Sequence, residues 1–242
     1  MHIAIVNRSR WVSHTAATRM ASAIYVSTNT AFVGAWRLEP ISVSVYTGTD
    51  EVPPGAYIAA LVDTKTQSQA YGWHDVHAGL PVVFDQVDMV REAGGGVLDG
   101  GSLGYSVSAA LSHEVFEMLA DPFCNQWVVF PRGHKYAGRM LAKEVCDPVQ
   151  SDVWDVKLSG NVIVQVSNAV LPAYFSPNTL FPKGTQFDLA GKVKTSFALR
   201  PGGYWVTKRS TTGDTIDVWG PKLDPKIVEW KKQRRRYESR QV

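Results

Sequence analysis

Two cysteines in 242 residues, Cys124 and Cys146, are too few for a disulfide scaffold, so the fold has to rest on a packed core. One bridge between them is conceivable, but two buried free thiols are the simpler expectation. Long apolar runs are missing too: nowhere do about eighteen apolar residues follow one another, so no spanning helix is expected, and no membrane is expected among the partners. The opening Met1-His2-Ile3-Ala4-Ile5-Val6-Asn7-Arg8 has neither the basic start nor the apolar centre of a signal peptide, so a cytoplasmic protein, or one carried in a phage particle, is expected. Gly94-Gly95-Gly96 and Gly100-Gly101 lack the Lys-Ser/Thr ending of a phosphate loop and are expected as a flexible flap or as tight packing beside the next helix. There is no internal repeat and no low-complexity tract. Positive charge is scarce in the body of the chain. From Lys226 onward seven basic residues face Glu229 and Glu238, a local +5, which leaves about −2 on the rest of a chain whose net charge is +3. A nucleic-acid binder that uses its whole surface is therefore not expected.

What is present suits an ordinary globular fold. Hydrophobic residues make up 45%, with eight Trp, nine Tyr and nine Phe, which argues against disorder. Ile3–Val6 reads as a short strand, and His14–Val33 carries Ala17, Met20, Ala21, Ile24 and Tyr25 at helical spacing. Ile41–Tyr46 alternates as a strand with one polar face, Tyr57–Val62 and Leu80–Phe84 are further strands, and Tyr71–Gly79 between them reads as a loop or hairpin tip. A helix from about Leu103 or Ser106 to Ala120, stopped by Pro122, closes the first part. Beyond it come short runs at Trp127–Phe130 and Val162–Val166, and a hairpin with Phe197–Leu199 and Tyr204–Val206 flanking Arg200–Gly203. Asp224-Pro225 reads as a helix start and Lys226–Arg240 as a basic terminal helix. The expected division is residues 1–122 as an α/β lobe, 123–223 as a less regular β-rich lobe and 224–242 as the basic tail.

The chemistry concentrates on the helix ending at Ala120. His113, Glu117 and Asp121 are spaced by four and share one face, while Glu114 sits about a hundred degrees around the helix. Leu111, Val115, Met118 and Leu119 supply the apolar side. Two ligands one turn apart with a Glu between them is the layout of His-Glu-x-x-His zinc sites, with Glu117 in place of the second His. A third ligand is sought downstream, where Glu144 and Asp147 are three apart and face one way if that segment is helical. His113, Glu117 and either carboxylate would hold zinc with an open position, activating a water whose proton Glu114 takes as general base. Oxygen-rich ligands also admit calcium.

Ser112-His113-Glu114-x-x-Glu117-x-x-x-Asp121-Pro122, then Asn125-x-Trp127, Glu144-x-x-Asp147 and Val166-Ser167-Asn168, resembles a zincin-like, metallopeptidase-related family of bacterial and phage proteins, with a more distant similarity to plant Exordium proteins. Members carry a Ser-His-Glu-Leu-x-Glu-x-x-Thr-Asp-Pro helix and a later Glu-Ile-x-Asp-x-Cys segment. This chain departs at Val115-Phe116 and Ala120, and its Cys146 precedes Asp147, which leaves the third ligand open. The resemblance spans about residues 110–170. It implies an α+β zincin-like fold: a twisted mixed sheet, an active-site helix beneath it and an irregular second lobe, with the sheet edge receiving an extended peptide by strand addition.

Other residues carry weaker signals. His74, Asp75 and His77 form a short cluster better explained as exposed loop residues, and Asp85 and Asp88 read as turn caps. His134 is the substitute third ligand. Ser102, Ser106, Ser108 and Ser112 have no partner suited to nucleophilic catalysis. Trp230 and Tyr237 share a face of the tail helix, which could meet nucleic acid or an acidic protein surface. Two functions follow: a zinc-dependent peptidase acting on an extended peptide through Glu114, or a non-catalytic structural protein, as of a phage virion, that keeps the metal for rigidity and assembles with itself or a protein partner.

Overall fold

Alternation shapes the first half of the chain. In β1 (His2–Asn7) and β2 (Ser42–Thr47), Ile3, Ile5, Val43 and Val45 point into the core, as a period of two requires. β3 (Tyr57–Val62), β4 (Gly72–His77) and β5 (Leu80–Gln86) complete a five-stranded sheet in the order β2-β1-β3-β5-β4. Four strands are parallel, and β4 runs antiparallel to β5 at one edge. The protein is seen in a computed structural model that describes residues 1–48, 50–63 and 70–222. The basic helix expected at 224–242 lies outside the described residues.

Helix α1 (His14–Ser27) starts at the N-cap Ser13, whose side chain accepts from the Ala16 amide, and buries Ala17, Met20, Ala21 and Ile24. Tyr25, expected among them, is half exposed. A π turn at Thr28–Phe32 leads into α2 (Val33–Trp36), which Arg37 closes in the left-handed conformation. Following β5, α3 (Val87–Glu92) and the glycine-rich loop deliver the chain to α4 (Val107–Ala120), capped by Ser106, which accepts from the Ala109 amide. The loop is tight packing, not a flap. Gly94, Gly96 and Gly100 carbonyls accept from the Leu103, Val107 and Tyr105 amides, and a Cβ on Gly95 would lie 2.5 Å from the Tyr105 carbonyl oxygen.

The second half is built from short antiparallel pieces. β6 (Trp127–Val129), β7 (Arg139–Ala142), β10 (Tyr204–Arg209) and β11 (Thr215–Trp219) form a four-stranded sheet in the order β11-β10-β7-β6, and β8 (Val153–Lys157) pairs with β9 (Ile163–Ser167). The hairpin expected around Arg200–Gly203 does not form. Tyr204–Val206 pairs with β11, and Phe197 sits at positive φ with its ring buried, so Phe197–Leu199 is core-filling coil. The architecture is α+β, as expected. Its main set of buried side chains runs from Ile3 to Trp205, so residue 122 marks a change of element type within one core.

α4 lies between the five-stranded sheet and β9, and all fourteen of its residues are buried. Its serines face β9. Ser108 Oγ donates to the Gln165 carbonyl at 2.7 Å, and Ser112 Oγ accepts from the Ser167 amide at 2.8 Å while donating to the Ala109 carbonyl. These hydroxyls tie the helix to β9. Ser112→Ala leaves a buried amide unpaired, and we expect a loss of about 1–3 kcal/mol. The check is urea unfolding, with a lower midpoint and an unchanged slope; an unaltered midpoint would mean that this bond does not dock the helix.

Candidate metal centre

The face of α4 away from the serines meets β4 and the segment that follows β7. His113 Nε2 lies 3.3 Å from Glu117 Oε1 and 3.3 Å from Oδ1 of Asp147, which opens a short 3₁₀ turn with Pro148 behind it. The Cys146 amide donates to Glu117 Oε1 at 3.1 Å and holds that carboxylate in place. Across Glu117 stands His74 of β4. Its Nδ1 is 3.5 Å from Glu114 Oε2 and 3.6 Å from Glu117 Oε2, and its Nε2 is 3.7 Å from Glu144 Oε2. Side-chain exposure is 2% for His113, 3% for Glu117 and Asp147, 5% for His74 and Glu114, and 11% for Glu144.

Two trios of donors result, His113–Glu117–Asp147 and His74–Glu114–Glu117, each with its ligand atoms within 4.8 Å of one another. The separations are long for charge-assisted hydrogen bonds, which prefer roughly 2.7–2.9 Å. The two at His113 match the edge of a tetrahedral coordination shell, about 3.3–3.4 Å for donors roughly 2.0–2.1 Å from the ion, and those at His74 are a few tenths longer. His74 Nε2 is buried with no hydrogen-bond partner among the described residues. Four carboxylates and two imidazoles with little or no access to water are costly to bury unbalanced, and a bound cation is one way to offset them. The residues therefore fit a divalent metal ion.

Protons substitute for it in part. Burial alone would lower the His74 imidazole, but hydrogen bonds to Cys124 and Glu114 and the charge of Glu117 outweigh it and hold the pKa up at about 10. At His113 burial again opposes, and the Glu117 charge with hydrogen bonds to Asp147 and Glu117 raises the pKa to about 9. Asp85, on β5 and wholly buried, has neither carboxylate oxygen hydrogen-bonded among the described residues. Burial and the nearby Glu114 push its pKa well above the carboxylate range.

The expected residues separate clearly. His113, Glu117, Asp147 and Glu114 come together, and Glu144 joins on the His74 side. Residues 143–146 are not helical, so Glu144 and Asp147 approach Glu117 from different directions. Asp121 is elsewhere. It ends α4, and its oxygens accept from the Asn125 and Gln126 amides at 3.2 and 2.8 Å, organising the next turn. His134 stacks on Phe130 with ring centroids 4.7 Å apart and belongs to neither trio. Tyr71–Gly79, expected as a loop or hairpin tip, is one arm of a hairpin whose tip is Ala78–Gly79: it contains β4, which turns His74 inward and leaves Asp75 and His77 exposed. Asp85 is likewise a strand residue and not a turn cap, whereas Asp88 does sit in the first turn of α3. Both cysteines are free; Cys146 is buried and Cys124 partly so. His74 is the member of this cluster that the sequence signals least clearly. Its one signal is Gly72 two residues earlier, on the same face of the strand, where a Cβ would come within 2.8 Å of Glu114 Cγ.

Comparison with protein-family models, with curated proteins and with solved structures finds no match to this chain.

Two outcomes follow from this geometry. Gly72→Ala forces Glu114 from its place, and we expect about 1–3 kcal/mol lower stability together with weaker metal retention in equilibrium dialysis; wild-type behaviour in both would show that the carboxylate has room to move. Because both imidazoles are raised above 6.5, they hold protons at neutral pH that a metal must displace. Metal-free protein is stabilised by these protons fully below the unfolded value, and the contribution fades as pH rises through about 9 and 10. Adding zinc at pH 7.5 in weak buffer should release protons, read with a pH indicator, and the release should shrink towards pH 10.

Proposed function

We propose that this chain is a zincin-like metal protein that hydrolyses peptide bonds, with His113, Glu117 and Asp147 holding a zinc ion and Glu114 serving as general base. The observation that carries this reading is the pair of 3.3 Å separations from His113 Nε2 to Glu117 Oε1 and Asp147 Oδ1, among side chains almost wholly buried. A zinc ion there supplies Lewis acidity and lowers the pKa of water towards about 7. Glu114 follows His113 on α4 and is seated against Gly72 and His74 on β4. From that seat its carboxylate takes a proton from the attacking water and delivers it to the leaving amine. The neighbouring His74 orients Glu114 through their shared contact.

Among the described residues β4 is an edge strand, and it offers backbone groups to an extended peptide. The His74 carbonyl on that edge has Cys124 Sγ at 3.7 Å, so an incoming peptide would displace the thiol. The mixed sheet, the buried helix and the less regular second half agree with the arrangement implied by the zincin-like resemblance. No helix among the described residues is long and apolar enough to cross a membrane; a place in the cytoplasm or a phage particle belongs to the proposal.

One observation favours a second reading. The most open donor, Glu144, is only 11% exposed, which suits a structural ion, zinc or calcium, in a non-catalytic protein such as a virion component. The two readings part on one experiment: zinc content by elemental mass spectrometry beside cleavage of a peptide library. For a peptidase, His113→Ala and Asp147→Ala lose zinc, and Glu114→Gln keeps the zinc at His113 while cleavage falls about 10²–10⁴-fold. Bound metal without cleavage assigns the structural role. Folded protein that takes up no metal removes both.

A further inference from the structure

Glu117 presents its two oxygens to different partners. Oε1 faces His113 Nε2 at 3.3 Å and accepts from the Cys146 amide, while Oε2 faces His74 Nδ1 at 3.6 Å. Each side is a complete trio of one imidazole and two carboxylates, with Glu117 common to both. On the His74 side the distances from Nδ1 to Glu114 Oε2 and Glu117 Oε2, 3.5 and 3.6 Å, again approach a tetrahedral edge. His74 Nε2, buried and without a hydrogen-bond partner among the described residues, points towards Glu144. A carboxylate behind the far nitrogen is the usual support of a metal-ligating histidine, since it fixes the tautomer and orients the ring.

We propose that the centre holds two divalent ions bridged by Glu117, one on His113 and Asp147 and the other on His74 and Glu114. This rests on the metal-binding reading above and deepens it from a mononuclear to a dinuclear site. The formal charge agrees. Glu114, Glu117, Glu144 and Asp147 carry four negative charges between two neutral imidazoles; one divalent ion leaves half of that unbalanced in a buried space, and two balance it. Bridging carboxylates of this kind hold the paired ions of two-metal hydrolases, roughly 3.5–4 Å apart. Glu114 binds the second ion through Oε2 and keeps Oε1, on the Gly72 side, for the proton it transfers.

The test is metal stoichiometry of the full chain, loaded with zinc and dialysed, read by elemental analysis and native mass spectrometry. His77→Ala on the exposed face of β4 controls for surface binding, and circular dichroism controls for folding; His74→Gln and His113→Gln replace the alanine variants should those not fold. Two equivalents are expected in wild type and in His77→Ala, one in His74→Ala and one in His113→Ala. Manganese-loaded protein should give the spectrum of an exchange-coupled pair, which Glu117→Gln abolishes. A single equivalent in wild type, whether or not His74→Ala removes it, overturns the bridged pair and leaves the mononuclear reading standing. Two equivalents with an uncoupled manganese spectrum overturn the bridge. Folded protein without metal overturns both readings together.

Discussion

A carboxylate taken out of water costs several kcal/mol unless a charge or an amide compensates it, and α4 takes two of them, with a histidine, into a helix that has no exposed residue. That constraint governs what surrounds the helix. Each ionisable group on it must find a partner from another element, and each such element must arrive at a definite height along the helix axis. β4 brings His74 opposite Glu114 and Glu117, and the segment after β7 brings Asp147 to His113 and the Cys146 amide to Glu117. Remove any one, and a buried charge is left with too little to offset it.

The rest of the helix is fitted to keep those partners in place. Serines at the spacing of one turn bind it to β9, and the apolar residues Leu111, Val115, Met118 and Leu119 fill the remaining directions. Its C-terminal end is held by Lys143, whose ammonium donates to the Ala120 carbonyl at 2.9 Å and lies over the Trp36 ring. A cation at that end also complements the helix dipole. Asp121 gathers the amides of the following turn, so the chain leaves the helix on a path that returns it as β7.

Much of this was legible from spacing alone. The strands at Ile3, Tyr57 and Leu80, the two long helices and the shared face of His113 and Glu117 all follow from apolar period and capping. Asp121 obeyed the same period and still turned away, because the helix ends there and its backbone takes the side chain with it. β4 was hidden for the opposite reason. Gly72-Trp73-His74-Asp75-Val76-His77 puts a glycine and a histidine at inward positions, so a strand with a chemical task carries no apolar alternation and looks like a loop. β7 and β8 were obscured by Arg139, Asp155 and Lys157 in the same way. The false hairpin near Arg200 came from treating neighbouring apolar runs as partners, whereas β10 found its partners at β11 and β7.

The turn between β4 and β5 has two residues, Ala78 and Gly79, both at positive φ, so His77 pairs directly with Leu80. A turn that short permits no slack in strand pairing, and side chains on a strand change sides with every residue. The identity of the side chain facing α4 is thus encoded by parity. One residue gained or lost at the hairpin would swing Trp73 or Asp75 into the place of His74, exchanging the nitrogen donor for an indole or another acid without touching a single residue of the helix. Lengthening the turn by two would restore it. Insertions and deletions at this surface tip are consequently not neutral decorations: an odd change there rewrites the chemistry in the interior, and an even one leaves it alone.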